Sequence, residues 1–561
     1  MEEFSRLCCL IVEDVYGGFL AQIFKILTQL GRLSATQVAQ KCRLPLRQVR
    51  TGLATLIQLR LVYHHTTSDG TLSTYQANTH NAYNLVRLGK LLALVEHSYG
   101  HAAATLMEHL ATLGYATAED LEAHIRADQE SPTPRINGHA GTERQVNGDL
   151  NRRDRFIKVL KVLIENHYIV AMRDAHFQSL FDARQDIERQ YRGLGLMPTN
   201  KTKKSQLEMD EKVDFELEKR LDPTISAASI MHELVSNNPD GPNTNAAQGR
   251  TLLCVDYSNV VKSIRTERLA DAAERLLGRE FASVTQAVCS QIELDSNLFK
   301  IRSQNNPMAS KQRLDTSLLT ADVSALSRAE DAEDGWLVDG YPANGYHTPR
   351  TNGTRNDPLI SQRLAMLAEG PFHFISQEFS GSFLADRKQL SNYLRDQELL
   401  RLMGEQVDGP ALRIIRMLAN KGKLDEKSLQ EVGLLSAKDL RQCLAQLQMK
   451  GFLELQEVPR EAQRQPNRTI FLWFYDAERV RKVFLGHLFK TMARLYQRLQ
   501  LERNRLSSTL SKIERTDVQG SEEEILPAGE FRLLSEWRER EMWFTAELDR
   551  LDDSVAMLRD L

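Results

Sequence analysis

The sequence lacks the features of membrane and secreted proteins. No apolar run approaches the roughly 20 residues that cross a bilayer, and no charged-then-apolar signal with a small-residue cleavage site opens the chain. Only six cysteines occur among 561 residues, and no two have CxxC spacing. We therefore expect an intracellular protein without membrane contact, whose thiols are small buried side chains instead of disulfides or zinc ligands.

Motifs of catalysis and metal binding are also missing. The chain contains no GxxxxGK[ST] phosphate loop, no HExxH and no GxSxG, and no run of aspartates of the kind that holds magnesium in a polymerase. The neighbours His64 and His65 fall on a predicted strand, where they point to opposite faces and cannot easily share an ion. The sequence thus predicts a protein that is not an enzyme by itself, with no catalytic residue, metal or cofactor.

The overall charge is nearly balanced. The formal net charge is -3, with 26% charged and 42% hydrophobic residues, which is ordinary globular material with enough apolar side chains for several cores. The chain as a whole is therefore not a polyanion-binding body. Any contact with nucleic acid must come from a local patch.

An internal repeat is the strongest positive signal. The stretch from Gly31 to Tyr63 has the pattern of a short helix, a tight corner, a longer helix and a strand, and a second strand would complete a winged helix. A glycine, a helix N-cap and a core aliphatic residue return at equal offsets in two further places, and a looser copy begins at Leu364. The three clear sets are Gly31, Ser34 and Val38; Gly114, Thr117 and Leu121; and Gly422, Asp425 and Leu429.

We predict a mainly α-helical fold with small β wings: four tandem winged-helix domains followed by a C-terminal antiparallel coiled-coil hairpin. Polar composition predicts a disordered insertion at 127–149 and a mobile loop at 329–357, and Leu252 to Tyr257 is predicted to be the strand that opens the third domain. The predicted boundaries are 1–80, 81–175, 251–385 and 386–477 for the four winged helices, 176–250 for a charged linker or insertion, and 478–561 for the hairpin.

Within that linker, Lys201, Lys203 and Lys204 form a small basic cluster. A solvated linker surface explains it, and so does a nuclear-import or nucleic-acid contact. The nearby glutamates favour the solvated surface.

Heptad spacing marks the predicted hairpin. Two apolar stripes separated by a break would bury each other, and arms of about 30 residues would reach roughly 45 Å. Glu502 and Glu541 interrupt the two seams. A protruding hairpin and two helices packed on the fourth domain both fit the pattern, and the length of the arms favours the hairpin. The residues predicted to pack within it are Leu488, Leu495, Leu499, Trp537, Phe544 and Leu548.

Arg43, Arg47 and Arg50 are the candidate DNA contacts. Their spacings of four and three predict one exposed face of the third helix of the first domain, which is the element that enters the major groove in a helix-turn-helix. The alternative is a solvated or protein-binding face, because the fourth domain has only Lys438 and Arg441 in the matching place.

Several stretches resemble the largest member of the three-subunit winged-helix subcomplex of RNA polymerase III, a family similar to the alpha subunit of the general factor TFIIE. The resemblance covers nearly the whole chain and is least in the polar loops. It is carried by the opening LCCLIVEDVYGGFLAQIFKILTQLGRLSATQVAQKCRLPLRQVRTGLATLIQLRLVYHH, by LVEHSYGHAAATLMEHLATLGYATAEDL, by ERLADAAERLLG and by the terminal hairpin.

The resemblance implies a nuclear, non-catalytic polymerase subunit. It implies partners in the clamp of the largest subunit, two smaller subcomplex members and general initiation factors, possible contact with promoter DNA, and a role in promoter recruitment and opening for tRNA, 5S rRNA and other small RNAs. Two alternatives stay open from the residues alone. They are a free winged-helix DNA-binding transcription factor and a scaffold subunit of another nuclear complex.

Overall fold

Helices dominate the structure, and four small antiparallel sheets accompany them. No described helix is both long and apolar enough to cross a bilayer. The computed structural model describes residues 2–66, 72–130, 143–195, 203–230, 251–294, 311–316, 318–320, 322–323, 358–370, 372, 374–378, 381–459, 469–513, 515 and 526–561.

The four sheets belong to units with one chain order, which we call modules. In each module a leading helix and a first helix meet at a corner, a second and a third helix follow, and two antiparallel strands close the unit. In the first three modules a short edge strand pairs with the last strand of the sheet, and in the fourth a single bridge between Leu424 and Trp473 takes its place. The corner glycines of the first three modules, Gly17, Gly100 and Gly278, have φ of 83°, 84° and 112°.

The first module begins with a helix that the sequence repeat did not include. Its second helix has the predicted cap: the Ser34 hydroxyl accepts from the Gln37 N–H, and the Gln37 side chain accepts from the Ser34 N–H. The elements are α1 (Glu2–Tyr16), α2 (Gly18–Leu30), β1 (Leu33–Ser34), α3 (Ala35–Cys42), α4 (Leu46–Gln58), β2 (Val62–Thr66) and β3 (Ser73–Ala77).

The second module corrects a predicted domain boundary. The strand Leu252–Val255, which the sequence analysis assigns to the third domain, pairs antiparallel with Ile169–Met172 and closes the sheet of the second module. The sequence of an apolar strand does not indicate which strand it pairs with, and a long insertion separates these two strands. After α5 (Thr79–Asn84), the elements are α6 (Leu88–Tyr99), α7 (His101–Leu113), β4 (Tyr115–Ala116), α8 (Ala118–Glu130), α9 (Glu143–Glu165), β5 (Ile169–Met172) and β6 (Leu252–Val255).

The predicted linker at 176–250 contains two packed helices. They are α10 (Leu180–Gly193) and α11 (Lys203–Leu221), and they share a small apolar cluster around Ile187 and Val213. Each of these helices contributes few apolar side chains, so the sequence of this segment shows only a weak helical periodicity of hydrophobic residues. Lys203 and Lys204 begin α11, whereas Lys201 lies outside the described residues.

The two predicted loops have different outcomes. The interval 127–149 is helical at both ends, because α8 ends at Glu130 and α9 begins at Glu143, and its middle lies outside the described residues. The prediction of disorder is therefore wrong for those ends. The loop predicted at 329–357 lies wholly outside the described residues.

The third and fourth modules repeat the plan. The described residues between 316 and 323 are helical and stand where the second helix of the third module belongs. The other elements are α12 (Ser258–Leu277), α13 (Arg279–Leu294), β7 (Lys311–Leu314), α14 (Pro358–Glu369), β8 (Ile375–Gln377) and β9 (Phe383–Asp386), then α15 (Arg387–Gly404), α16 (Gly409–Lys421), α17 (Glu426–Gly433), α18 (Ala437–Met449), β10 (Leu453–Pro459) and β11 (Thr469–Tyr475).

Local signals of the repeat are confirmed in three modules. Thr117 and Asp425 accept backbone N–H groups at the start of their helices as Ser34 does. The aliphatic residues that follow these caps at equal offsets, Val38, Leu121 and Leu429, are completely buried. The backbone turns into the left-handed region at matching junctions between the third helix and the strand, at Arg60, His167 and Gly451.

The tail packs on the body of the molecule over most of its length. It consists of α19 (Ala477–Arg505), α20 (Ser507–Ile513), α21 (Ala528–Val555) and a π-helical turn, Ala556–Asp560. Helix α19 lies along α1, and Arg503 forms ion pairs with both Asp14 of α1 and Glu541 of α21. The first arm thus packs on the body along α1, whereas the sequence favoured a protruding hairpin over helices packed on the fourth domain.

Two large cores hold the modules in pairs. One combines apolar side chains of the second and third modules, and the other combines those of the first and fourth modules with the tail. The C-terminus joins both, because Ala556 and Met557 belong to the first of these cores while Val555 and Leu558 belong to the second. The chain order of the modules therefore differs from their spatial pairing.

A buried ionic cluster fixes this junction. Arg87, which precedes α6, donates from Nε to both carboxylate oxygens of Asp552 at 3.0 and 3.1 Å, and its Nη2 lies 2.6 Å from Asp560. The Tyr83 hydroxyl donates to Asp552 at 2.7 Å. Burial and the Asp552 carboxylate raise the pKa of Tyr83 well above its ordinary value, so the phenol remains a neutral donor.

Candidate nucleic-acid interface

Two of the three predicted arginines lie on the third helix of the first module. Arg47 and Arg50 are on the exposed face of α4, opposite the buried Val49, Leu53 and Leu56. The three proposed contact side chains, Arg43 included, are exposed, and no hydrogen bond or ion pair joins their guanidinium groups to another described residue. They are therefore available to an external anion.

Arg43 does not belong to that helix. It ends α3 in the left-handed conformation with φ 55°, three residues before α4 begins. Helical spacing therefore does not place it beside Arg47 and Arg50, and that part of the prediction is wrong. An L-residue in this conformation is uncommon, and the sequence gives no sign of it because no glycine or asparagine marks the corner.

A close approach sets the position of α4. A Cβ on Gly52 would lie 2.5 Å from Ile23 Cδ1 and 3.1 Å from the Phe19 ring, so α2 and α4 pack closely there and a larger residue would require Ile23 to move. At its other end, Gln58 Nε2 donates to the Leu113 and Tyr115 carbonyls at 2.9 and 2.8 Å. The helix is thus held by its own module and by the second module.

The second module presents a basic face that the sequence analysis missed. Arg155, Lys158 and Lys161 are exposed at spacings of three on α9, the helix that corresponds to α4. Lys161 lies 3.8 Å from Glu165, whereas Arg155 and Lys158 have no partner among the described residues. The same spacing of basic residues is present in the sequence, which predicts DNA contacts only for Arg43, Arg47 and Arg50.

In the third and fourth modules the arginines of the corresponding helices are paired, whereas Lys438 of the fourth is exposed and has no partner among the described residues. Arg363 of α14 pairs with Glu280, and Arg441 of α18 pairs with Glu426 at 2.5 Å. Leu434 occupies the place of Arg43, with φ 51° and 86% of its surface exposed. Uncompensated positive charge on a third helix is therefore strongest in the first two modules.

The first two modules also contact each other directly. Arg60 Nη1 donates to the Val255 carbonyl at 3.1 Å, and a Cβ on Gly114 would lie 2.1 Å from the Gln58 carbonyl oxygen. A residue larger than glycine at position 114 would therefore push the modules apart. The end of α4 therefore packs directly against the segment that precedes β4.

The two adjacent histidines contact different groups. The His64 and Phe177 rings meet edge to face with their centroids 5.9 Å apart, and His65 Nε2 lies 3.4 Å from Asp186 of α10. Burial and the neighbouring His65 lower the pKa of His64. These contacts, with the Arg32–Asp182 ion pair at 2.6 Å, tie the wing of the first module to the insertion.

The six residues assigned to hairpin packing fall into two clusters. Leu488 and Leu548 belong to the core that the first and fourth modules share, and Leu495 contacts both clusters. The remaining three, Leu499, Trp537 and Phe544, pack in a cluster between the two arms.

The described residues contain no group of three His, Cys, Asp or Glu side chains placed to hold a metal ion. Four cysteines are buried: Cys8, Cys42, Cys254 and Cys289.

Three family models match the chain. The RNA polymerase III subunit RPC82 helix-turn-helix domain matches residues 6–67, RNA polymerase III subunit RPC82 matches 158–394, and the POLR3C C-terminal winged-helix domain matches 401–475. Similar full-length proteins include DNA-directed RNA polymerase III subunit rpc3 of Aspergillus niger and of Emericella nidulans, each 33% identical over 99% of both chains. The corresponding RPC-3 subunit of Coccidioides immitis is 31% identical, also over 99% of both chains.

Proposed function

The chain belongs to the RPC82 family of RNA polymerase III subunits, and from that premise we propose how its modules serve the enzyme. It is a non-catalytic subunit of RNA polymerase III. We propose that it acts in the nucleus, in promoter recruitment and opening during synthesis of tRNA, 5S rRNA and other small RNAs.

We propose that the four modules are tandem winged helices and that the tail is an antiparallel coiled-coil hairpin. The repeated order of three helices and two strands supports the first part. The cluster of Leu499, Trp537 and Phe544 between α19 and α21 supports the second. The shared core makes the hairpin base part of the body, so only its outer portion is free to contact other chains.

Promoter DNA would lie against the surface made by α4 and α9. The observation that carries this proposal is the set of exposed, unpaired cations Arg47, Arg50, Arg155 and Lys158, whereas the arginines of the corresponding helices in the other modules, Arg363 and Arg441, are paired. Side chains of this kind bind phosphates and position a protein on DNA without reading its sequence. The nearly neutral chain would thus touch DNA through one local surface.

The third and fourth modules would contact protein. The arginines of their third helices are paired, and the fourth module exposes Leu434 at its corner. The partners proposed are the clamp of the largest subunit, the two smaller subcomplex members and the general initiation factors. An apolar protrusion beside paired charges suits a protein surface better than a row of phosphates.

The experiment compares two charge-reversed chains in purified polymerase. One carries Arg47→Glu, Arg50→Glu, Arg155→Glu and Lys158→Glu, and the control carries Lys438→Glu and Arg441→Glu. We expect only the first variant to bind the labelled promoter duplex more weakly. The slope of log K against log salt concentration should become shallower by about 0.9 for each lost phosphate contact. Equal effects of the two variants would refute the DNA surface, and absence of the tagged chain from purified polymerase would refute the subunit role.

A further inference from the structure

A small cavity opens on one side of the hairpin. Its volume is about 170 Å³, similar to an apolar cavity of about 150 Å³ that accepts benzene. It therefore has room for one bulky side chain. Its lining residues are Arg498, Glu502, Arg540, Trp543 and Phe544.

The cavity is surrounded by more arginines than its carboxylates balance. Glu502 is buried and lies 2.7 Å from Arg498, 3.0 Å from Arg505 and 3.9 Å from Arg540. Arg494, one turn before Arg498, is exposed and has no partner among the described residues. A buried carboxylate is stable only when it is well paired, so Glu502 gathers these guanidinium groups. Their surplus positive charge faces solvent.

An exposed aromatic side chain forms the other wall. Trp543 is 57% exposed, although Phe544 beside it is buried in the hairpin cluster. Leu501 of the opposite arm is also exposed. Exposed tryptophan next to arginine is typical of the residues that dominate binding energy at protein interfaces.

We infer that this cavity docks an acidic polypeptide segment that inserts one bulky apolar side chain beside Trp543. Carboxylates on both sides of that side chain would meet Arg498, Arg540 and Arg494. A nucleic acid fits less well, because the cavity accepts a single side chain. The inference rests on the proposed function for its setting, since the partner would be another chain of the transcription machinery.

The test places a benzophenone amino acid at position 543 of the full chain and irradiates the purified assembly. We expect a cross-link to a polypeptide segment whose Asp and Glu residues flank an aromatic or large aliphatic residue. The matched control carries the same probe at Met542, which is equally exposed but does not line the cavity, and we expect at least a tenfold lower yield. Cross-links to nucleic acid, to a segment without carboxylates, or to nothing would overturn the inference.

A second set of variants measures the charge dependence. Arg498→Glu with Arg540→Glu, and separately Trp543→Ala, should each lower retention of the cross-linked partner at least tenfold, whereas Arg538→Glu on the same helix should not. Trp543→Ala removes an exposed ring and leaves the hairpin cluster intact, so loss of binding there is not loss of fold. Unchanged retention in both variants would contradict the inference. Should the chain fail to enter polymerase, the proposed function fails, and the chemistry of the cross-linked segment still decides the docking site.

Discussion

The first and fourth modules share a backbone plan and a core but differ on the surface. Their second helices end at equal offsets in left-handed residues, Arg43 and Leu434, and their strands follow the third helix at the same distance. One presents unpaired arginines, while the other presents a neutralised arginine and an exposed leucine. Duplication thus kept what the core requires and left the exposed face of the third helix free to change its partner.

The largest expected effect comes from breaking the ionic cluster of Tyr83, Arg87, Asp552 and Asp560, which lies where the tail meets both cores. Arg87→Ala leaves Asp552 buried with reduced compensation, and loss of one member of a buried pair costs about 3–5 kcal/mol. We expect that loss in the free energy of unfolding from urea titration. Arg550→Ala, an exposed arginine of α21, is the control and should change it by less than about 0.5 kcal/mol. Equal effects would show that the cluster contributes nothing special.

Matched core truncations test whether the two modules play equal parts in their shared core. Leu53 and Leu444 stand at the same offset in the third helices, and both are buried. We expect Leu53→Ala and Leu444→Ala each to lower the free energy of unfolding by about 2–5 kcal/mol, with similar urea midpoints. A large difference between them would mean that one module unfolds separately.

Substitution of Arg43 and Leu434 by glycine tests whether the exposed side chains at the two left-handed corners contribute to the stability of the fold. A non-glycine residue in this conformation is strained by roughly 1–2 kcal/mol, and glycine costs about 0.5–1 kcal/mol in chain entropy. Leu434→Gly should therefore stabilise the chain slightly in thermal unfolding, since its side chain is exposed, and Arg43→Gly should match it. Clear destabilisation by either change would reveal a contact at that corner.

Lowering the pH should distinguish the stability of the first module from that of the fourth, and this is the smallest of the expected effects. Burial lowers the pKa of both His64 and His176, so the unfolded chain binds more protons than the folded one below the ordinary value of about 6.5. Stability near the first wing is therefore full above that pH and declines as pH falls below it. Hydrogen-exchange protection factors, which correct for the fall of the intrinsic exchange rate with pH, should decrease at the first wing near pH 5.5 and stay constant in the fourth module, which contains no histidine. Uniform exchange would contradict the assignment.

Local features of the fold could be predicted from the sequence. A cap such as Ser34 or Asp425 and a buried Val38 depend on residues within one helical turn, and the repeat supplied independent copies of each. Arg47 and Arg50 were placed on an exposed face for the same reason. Arg43 was misplaced because the corner before α4 depends on a backbone conformation that its sequence does not announce.

Long-range pairing could not be read in the same way. Leu252–Val255 is an apolar strand whose partner lies beyond an insertion. Arg87 and Asp552 resemble solvated helix residues until the chain brings them together. The sequences of the first and fourth modules likewise do not indicate that the two modules share one core, because each apolar stripe is compatible with several neighbours.

The position of residues 555–558 has a consequence for biosynthesis. Both large cores include this segment, which follows all four modules in the chain. Modules can fold one by one during translation, but their final association must wait until this segment has left the ribosome. A prematurely terminated product would retain uncovered apolar helix faces, which chaperones and proteases recognise, so the cell can distinguish complete from incomplete copies before they join the enzyme.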